Sequence, residues 1–158
     1  MSNLSAEIIN ALDCKEKTLI ITVGNSFRAD DGAGPYIGSK LTPQKNFDLI
    51  NAESRPEDAL DQVKDLNPKK IIIIDAADFE GKPGEIKIIP EEAIPEKTLS
   101  THSIPLNLVA RLLKQDTQAE IIFLGIQPQE VGYKEELSEP VKQACEMIIE
   151  TLQKSIKP

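Results

Sequence analysis

The chain has 158 residues, 40% of them hydrophobic and 28% charged, and a formal net charge of −8. That balance fits one globular domain with a real core and excludes a disordered chain; it also argues against nucleic acid as a partner, because phosphates call for a basic surface. Aromatic residues are only 4% and Trp is absent, so the core must be aliphatic.

Residues 1–17 read as a short amphipathic helix or a frayed lead-in around Ile8, Ile9 and Leu12, with no catalytic role. Leu19–Val23 is a β-branched apolar run that predicts a buried strand. Gly24-Asn25-Ser26 breaks it, and Tyr36, Ile37 and Leu41 mark a following helix. Asp30 and Asp31 therefore fall between a strand end and a helix start, where ligands bind in open α/β sheets. One of the two is expected to cap the helix. Capping needs a single carboxylate, which leaves the other for chemistry.

After a turn at 42–46, Phe47–Asn51 predicts a second strand. Glu53–Asp58 reads as an acidic helix start continuing through Ala59, Leu60, Val63 and Leu66, stopped by Asn67-Pro68. Lys69–Asp75 holds four consecutive isoleucines. A strand that is apolar on both faces belongs in the middle of a parallel sheet, and Asp75 lies at its carboxyl end. Gly81–Gly84 is a turn, and Glu85–Ile89 alternates as an edge or hairpin strand that can run antiparallel. Residues 90–97 form an acidic, Pro-containing loop.

His102, the single histidine, precedes a helix that starts near Pro105 and buries Leu106, Val109, Leu112 and Leu113, with Ser103 available as its cap. A helix start beside it favours the neutral imidazole, the form that coordinates metals. Glu120–Ile126 is the last strand. The final helix begins near Ser138, a plausible cap, and buries Val141, Ala144, Cys145, Ile148, Ile149 and Leu152. The sum is a single α/β domain over residues 1–158. Its mostly parallel central sheet is flanked by helices on both faces, with one antiparallel edge or hairpin strand.

No apolar run approaches the roughly 20 residues of a membrane span, so no membrane insertion is expected. The N-terminus lacks a basic segment leading into an apolar one, and a cytoplasmic protein is expected. Cys14 and Cys145 have no metal-ligand spacing or catalytic partner pattern, and Cys145, on the apolar face of the final helix, reads as a small core residue.

Asp31, Asp75 and His102 are the side chains singled out for chemistry. One imidazole and two carboxylates suit Zn, Ni, Mn or Fe better than a thiol-seeking ion, and three protein ligands leave room for water or substrate. Two aspartates sharing a proton can act as an acid–base pair, but the Asp-Thr/Ser-Gly signatures that usually flank such a pair are missing. The sequence has no HExxH, GxSxG or GxxxxGK[ST] motif.

The blocks GNSFRADDGAGP, IIIIDAADFEGKPGEIKII, THSIPLNL and IFLGIQPQEVGY resemble the [NiFe]-hydrogenase maturation endopeptidases. The similarity is greatest to the branch that processes the large subunit of hydrogenase 3, and it spans Thr18 to Leu152. It implies a hydrolase acting on a peptide bond, an endopeptidase that removes the C-terminal extension of a large-subunit precursor after nickel insertion. It also implies that Asp31 (the second acid of the pair), Asp75 and His102 contact that nickel and are the catalytic set. The nickel would come with the precursor, with no permanent metal of the protein's own, and the protein would be a monomer. Arg28 stands where related chains commonly carry an apolar residue, and it could meet acidic or carboxyl-terminal groups of the substrate. A non-catalytic metal-sensing protein that only docks on the precursor, or a nucleotide-binding α/β domain, are the alternatives.

Overall fold

Strand pairing in this chain follows from where the β-branched runs fall, and the helices follow from the amphipathic stretches between them. The computed structural model describes residues 4–95 and 104–154. Five strands form one sheet: β1 (Thr18–Val23), β2 (Phe47–Glu53), β3 (Lys70–Ala76), β4 (Ile86–Pro90) and β5 (Glu120–Ile126), in the order β2-β1-β3-β5-β4. The first four in that order run parallel. The edge strand β4 pairs antiparallel with β5, Ile88 opposite Leu124.

The four isoleucines of β3 are all buried and alternate between two cores. Ile71 and Ile73 face α3 (Ala59–Leu66) and α4 (Leu106–Thr117) through Val63, Val109 and Leu113. Ile72 and Ile74 face the other side, where α1 (Ala6–Ala11), α2 (Ala33–Lys40) and α5 (Glu139–Lys154) supply Ile8, Ile37, Cys145 and Ile148. A strand that contributes to both cores has no face left for polar side chains, which is why its sequence does not alternate. Cys145 is buried as its helix face predicts, and Cys14 is buried as well. Among the described residues no helix is long and apolar enough to cross a membrane.

The lead-in is a helix, α1, because the Ser5 hydroxyl accepts the Ile8 N–H at 3.2 Å. Strand β2 continues two residues beyond Asn51, to Glu53, so Glu53 ends a strand and does not start a helix. A 3-10 helix, Pro56–Asp58, then leads into α3, whose end is set by Asn67 in the left-handed region. Pro105 sits at the N-cap of α4, just before its first turn, and Leu112 is only partly buried. A short 3-10 helix, Glu91–Ala93, interrupts the expected acidic loop.

From β1 the chain moves to β2 on one side and then to β3 on the other. The crevice between the carboxyl ends of β1 and β3 is therefore the topological switch point of the sheet. Close packing fixes its floor. A Cβ on Gly34 would collide with the Val23 carbonyl oxygen, and one on Gly24 with the Asp31 carbonyl. A Gly34→Val variant should lose about 3 kcal/mol of unfolding free energy, read from urea denaturation; an unchanged midpoint would mean that α2 does not press on β1 as described.

Candidate active site

The turn after β1 carries the adjacent acids. Residues Ala29–Gly32 form a 3-10 helix that runs straight into α2. The cap expected of one acid is absent: neither carboxylate caps α2, whose N-cap is Gly32 with no side-chain hydrogen bond. A continuous 3-10 to α transition leaves no extended residue there to present a capping oxygen.

Asp30 does different structural work. It is fully buried, and its carboxylate accepts the N–H groups of Gln129 (2.8 Å), Glu130 (2.9 Å) and Ser138 (2.7 Å) and the Ser138 hydroxyl (2.8 Å). A buried charge ringed by amide and hydroxyl donors is stable where a bare one is not. The Ser138 hydroxyl thus donates to Asp30, while the Ser138 carbonyl accepts the first helical N–H of α5, from Lys142.

Asp31 is 2% exposed and its carboxylate accepts the Asn25 N–H at 3.2 Å. Asp75, at the end of β3, is 0% exposed. Among the described residues, neither of its oxygens has a hydrogen-bond partner of ordinary geometry. Burial, and then the negative charge of Asp31, hold the Asp75 carboxyl well above the ordinary aspartate range, and the Ala76 amide dipole offsets this only in part. The two acids predicted for chemistry are thus brought to the same crevice and feel one another's charge. His102 lies outside the described residues. Among the described residues no group of three or more metal-binding side chains is gathered. Two carboxylates are hard oxygen donors, and a buried carboxylate with few donors around it is a place for a cation or a proton.

Two supports around this pair are not evident from sequence. Gln127, directly after β5, is buried; its side-chain oxygen accepts the N–H groups of Phe79 (2.9 Å) and Gly81 (3.0 Å), and its amide donates to Asp78 at 3.0 Å. It fixes the loop leaving Asp75. The only sequence signal was a polar residue at the end of a buried strand. The second support pairs the loop before Asp31 with the loop after β5. Ala29 N–H donates to the Lys134 carbonyl (2.6 Å), Lys134 N–H to the Phe27 carbonyl (3.0 Å) and Asp30 N–H to the Glu130 carbonyl (3.0 Å). Ala29 is held at φ 50, a strained conformation for a residue with a Cβ. Arg28 lies on this loop pair with its guanidinium carbon 5.5 Å from the centre of the Tyr133 ring. On the other side of the 3-10 helix is an open pocket of about 310 Å³, lined in part by Ser26, Gly32, Tyr36, Asn51 and Glu53. Tyr36 donates to Glu146 at 2.6 Å, which pushes its phenol up to about 12 and keeps it neutral.

The cysteines take no part. Burial raises both thiols, Cys145 the more strongly, and a thiol so held is not a nucleophile.

The sequence and the fold are similar to those of known proteins. A family model described as hydrogenase maturation protease (HycI) matches residues 36–155. The hydrogenase 3 maturation protease of Escherichia coli K12 is 39% identical over 138 residues, which span 85% of this chain and 88% of that protein. Among solved structures, the [NiFe] hydrogenase maturation protease HycI of Thermococcus kodakarensis superposes with a TM-score of 0.79 at 28% identity, covering 94% of this chain and 99% of that one. The solution structure of the endopeptidase HycI from Escherichia coli gives 0.77 at 38% identity, over 87% and 90% of the two chains.

The adjacent acids should separate cleanly by mutation. Asp30→Ala strands several buried donors and should cost on the order of 3 kcal/mol or more, measured by urea unfolding. Asp31→Ala should cost far less; equal losses would remove the division of labour. Asp75 should make stability depend on pH. Its folded-state proton affinity is raised, so between the ordinary value of 3.8 and the folded value the native state holds more protons than the unfolded chain, and stability falls as pH rises through that window. The Asp75→Asn protein should therefore be more stable than the native one at pH 8, with the gap closing towards pH 4. A gap independent of pH would mean that Asp75 is not the strained group.

Proposed function

The chain belongs to the hydrogenase maturation protease family, and from that membership we infer that it removes the C-terminal extension of a [NiFe]-hydrogenase large-subunit precursor once nickel has been inserted. The observation that carries this reading is Asp75: wholly buried, without a well-formed hydrogen bond to either oxygen among the described residues, and held against the charge of Asp31. Such a pair is destabilised while it has no cation. Asp31 and Asp75, with His102 as the third ligand, contact the nickel that the precursor brings. The cation displaces the proton that Asp75 holds more tightly than an ordinary aspartate. An empty precursor offers no such compensation, so the same contact that positions the substrate also checks that insertion is complete. Nickel supplies Lewis-acid polarisation of the scissile carbonyl or of the attacking water. In the hydrolysis itself water adds to that carbonyl, the C–N bond breaks, and the proton released by water goes to the leaving amine.

The preorganisation of the site supports the reading. Asp30 fixes the turn that carries Asp31, and Gln127 the loop that leaves the strand bearing Asp75, so the acids cannot swing out to water to relieve their repulsion. The nickel belongs to the substrate and leaves with the product, so the protein has no resident metal of its own. It works on a soluble precursor in the cytoplasm, as a monomer.

The intact mass of a large-subunit precursor, taken before and after incubation with this protein, tests the proposal. Loss of a C-terminal peptide is expected from nickel-loaded precursor only. Asp31→Ala, Asp75→Ala and His102→Ala should each abolish that loss while keeping native circular dichroism. Cleavage of nickel-free precursor at the same rate would remove nickel from the mechanism, and full cleavage by Asp75→Ala would overturn the site assignment. Binding without cleavage would leave a docking protein.

A further inference from the structure

The loop pair beside Asp31 exposes apolar surface that the fold does not use. The large hydrophobic residues that stand exposed include Ile9 and Leu108, each alone on a helix, but Phe27 (64%), Val131 (42%) and Tyr133 (89%) fall together on the paired loops 27–30 and 130–134. The chain has only four Phe and two Tyr, and one of each is placed in solvent here. Isolated exposed side chains need no explanation; a cluster on a rigid support does. The support is rigid for stated reasons: three backbone hydrogen bonds join the loops, the Asp30 carboxylate holds both, and Ala29 is kept in the left-handed region.

Arg28 lies within this cluster. Its guanidinium lies over the Tyr133 ring; among the described residues its buried Nε has no hydrogen-bond partner and no carboxylate lies within ion-pair distance of it. In a chain of net charge −8, acids are plentiful, so a half-buried cation left without one is set for an anion from outside. A planar guanidinium braced by an aromatic ring suits a carboxylate. The chain's net negative charge disfavours nucleic acid and anionic membrane as the source of that anion.

We propose that Phe27, Arg28, Val131 and Tyr133 form a docking platform for the polypeptide substrate, with Arg28 pairing to a carboxylate of that polypeptide and the three apolar side chains covering a hydrophobic neighbour of it. The identity of the occupant rests on the protease reading above. The location is fitting: Asp31 donates its backbone N–H to the Arg28 carbonyl at 3.0 Å, so a chain held at Arg28 is led directly to the acid pair. Arg28 and Tyr133 are positioning residues, and their loss should be felt in binding and not in the chemical step.

The test uses the full chain and a nickel-loaded large-subunit precursor, with binding and cleavage measured separately. Arg28→Gln and Tyr133→Ser should each weaken precursor binding about tenfold, raise KM by a similar factor and leave kcat within twofold. Arg28→Gln should also flatten the salt dependence of binding, and Arg28→Lys should recover only part of the affinity. Tyr133 is so exposed that its variant tests the platform without endangering the fold. Equal binding by native and variant proteins, or no binding by the native protein, would overturn the proposal. So would a concentration-dependent dimer that Tyr133→Ser dissolves, because the patch would then serve self-association. Platform-dependent binding without any cleavage would sustain the platform and reject the protease reading, so the two fail separately.

Discussion

The Asp30 carboxylate accepts hydrogen bonds from three backbone N–H groups and one hydroxyl, and the geometry around the acid pair depends on that set of bonds. It joins the turn after β1 to the loop after β5 and to the start of α5. Burying a carboxylate is costly unless donors replace its water, and here they do so fully. Asp31, one residue along, then has no freedom of its own: its backbone is fixed on one side by Asp30 and on the other by α2. Asp75 comes from the opposite direction, at the end of a strand packed on both faces. Two acids that repel are thereby held where neither can retreat. The fold does not relieve this conflict, and that is the usual mark of a site kept for chemistry.

The platform of Phe27, Arg28, Val131 and Tyr133 is a product of the same constraint. Pairing two loops through their backbones leaves their side chains nothing to pack on, so they point outward. A loose pair of loops would fold such side chains back onto the surface. Rigidity of the backbone and exposure of the side chains have one cause, and it is the anchoring by Asp30.

Much of this was legible in the sequence because it is local. The run Ile71–Ile74 states by itself that both faces of β3 are covered, and Asp75 is then at a strand end by simple position. The β1 turn was equally clear from Gly24-Asn25-Ser26. What sequence did not disclose was which partners lie far along the chain. Helix capping is the local use of an acid such as Asp30, but its real partners are about a hundred positions away. Gln127 and the hydroxyl of Ser138 were unreadable for the same reason, since a side chain that bonds a distant loop leaves no periodic trace. The extension of β2 to Glu53 and the late start of α3 reflect a 3-10 helix at Pro56, which helical spacing alone does not separate from α-helix. The third expected member of the site, His102, was readable as a residue but falls outside the described ones.

The reach of the Asp30 bonds has a consequence for how this protein is made. Ser138 lies 108 positions after Asp30, so the anchor cannot close until the chain through Ser138 has left the ribosome and β5 has joined the sheet. Loops of that length close slowly, and parallel strands wait for their crossovers. Until then the turn bearing Asp31 has nothing to hold it against Asp75. A nascent chain therefore carries the acids but not their arrangement, which is completed only as α5 docks.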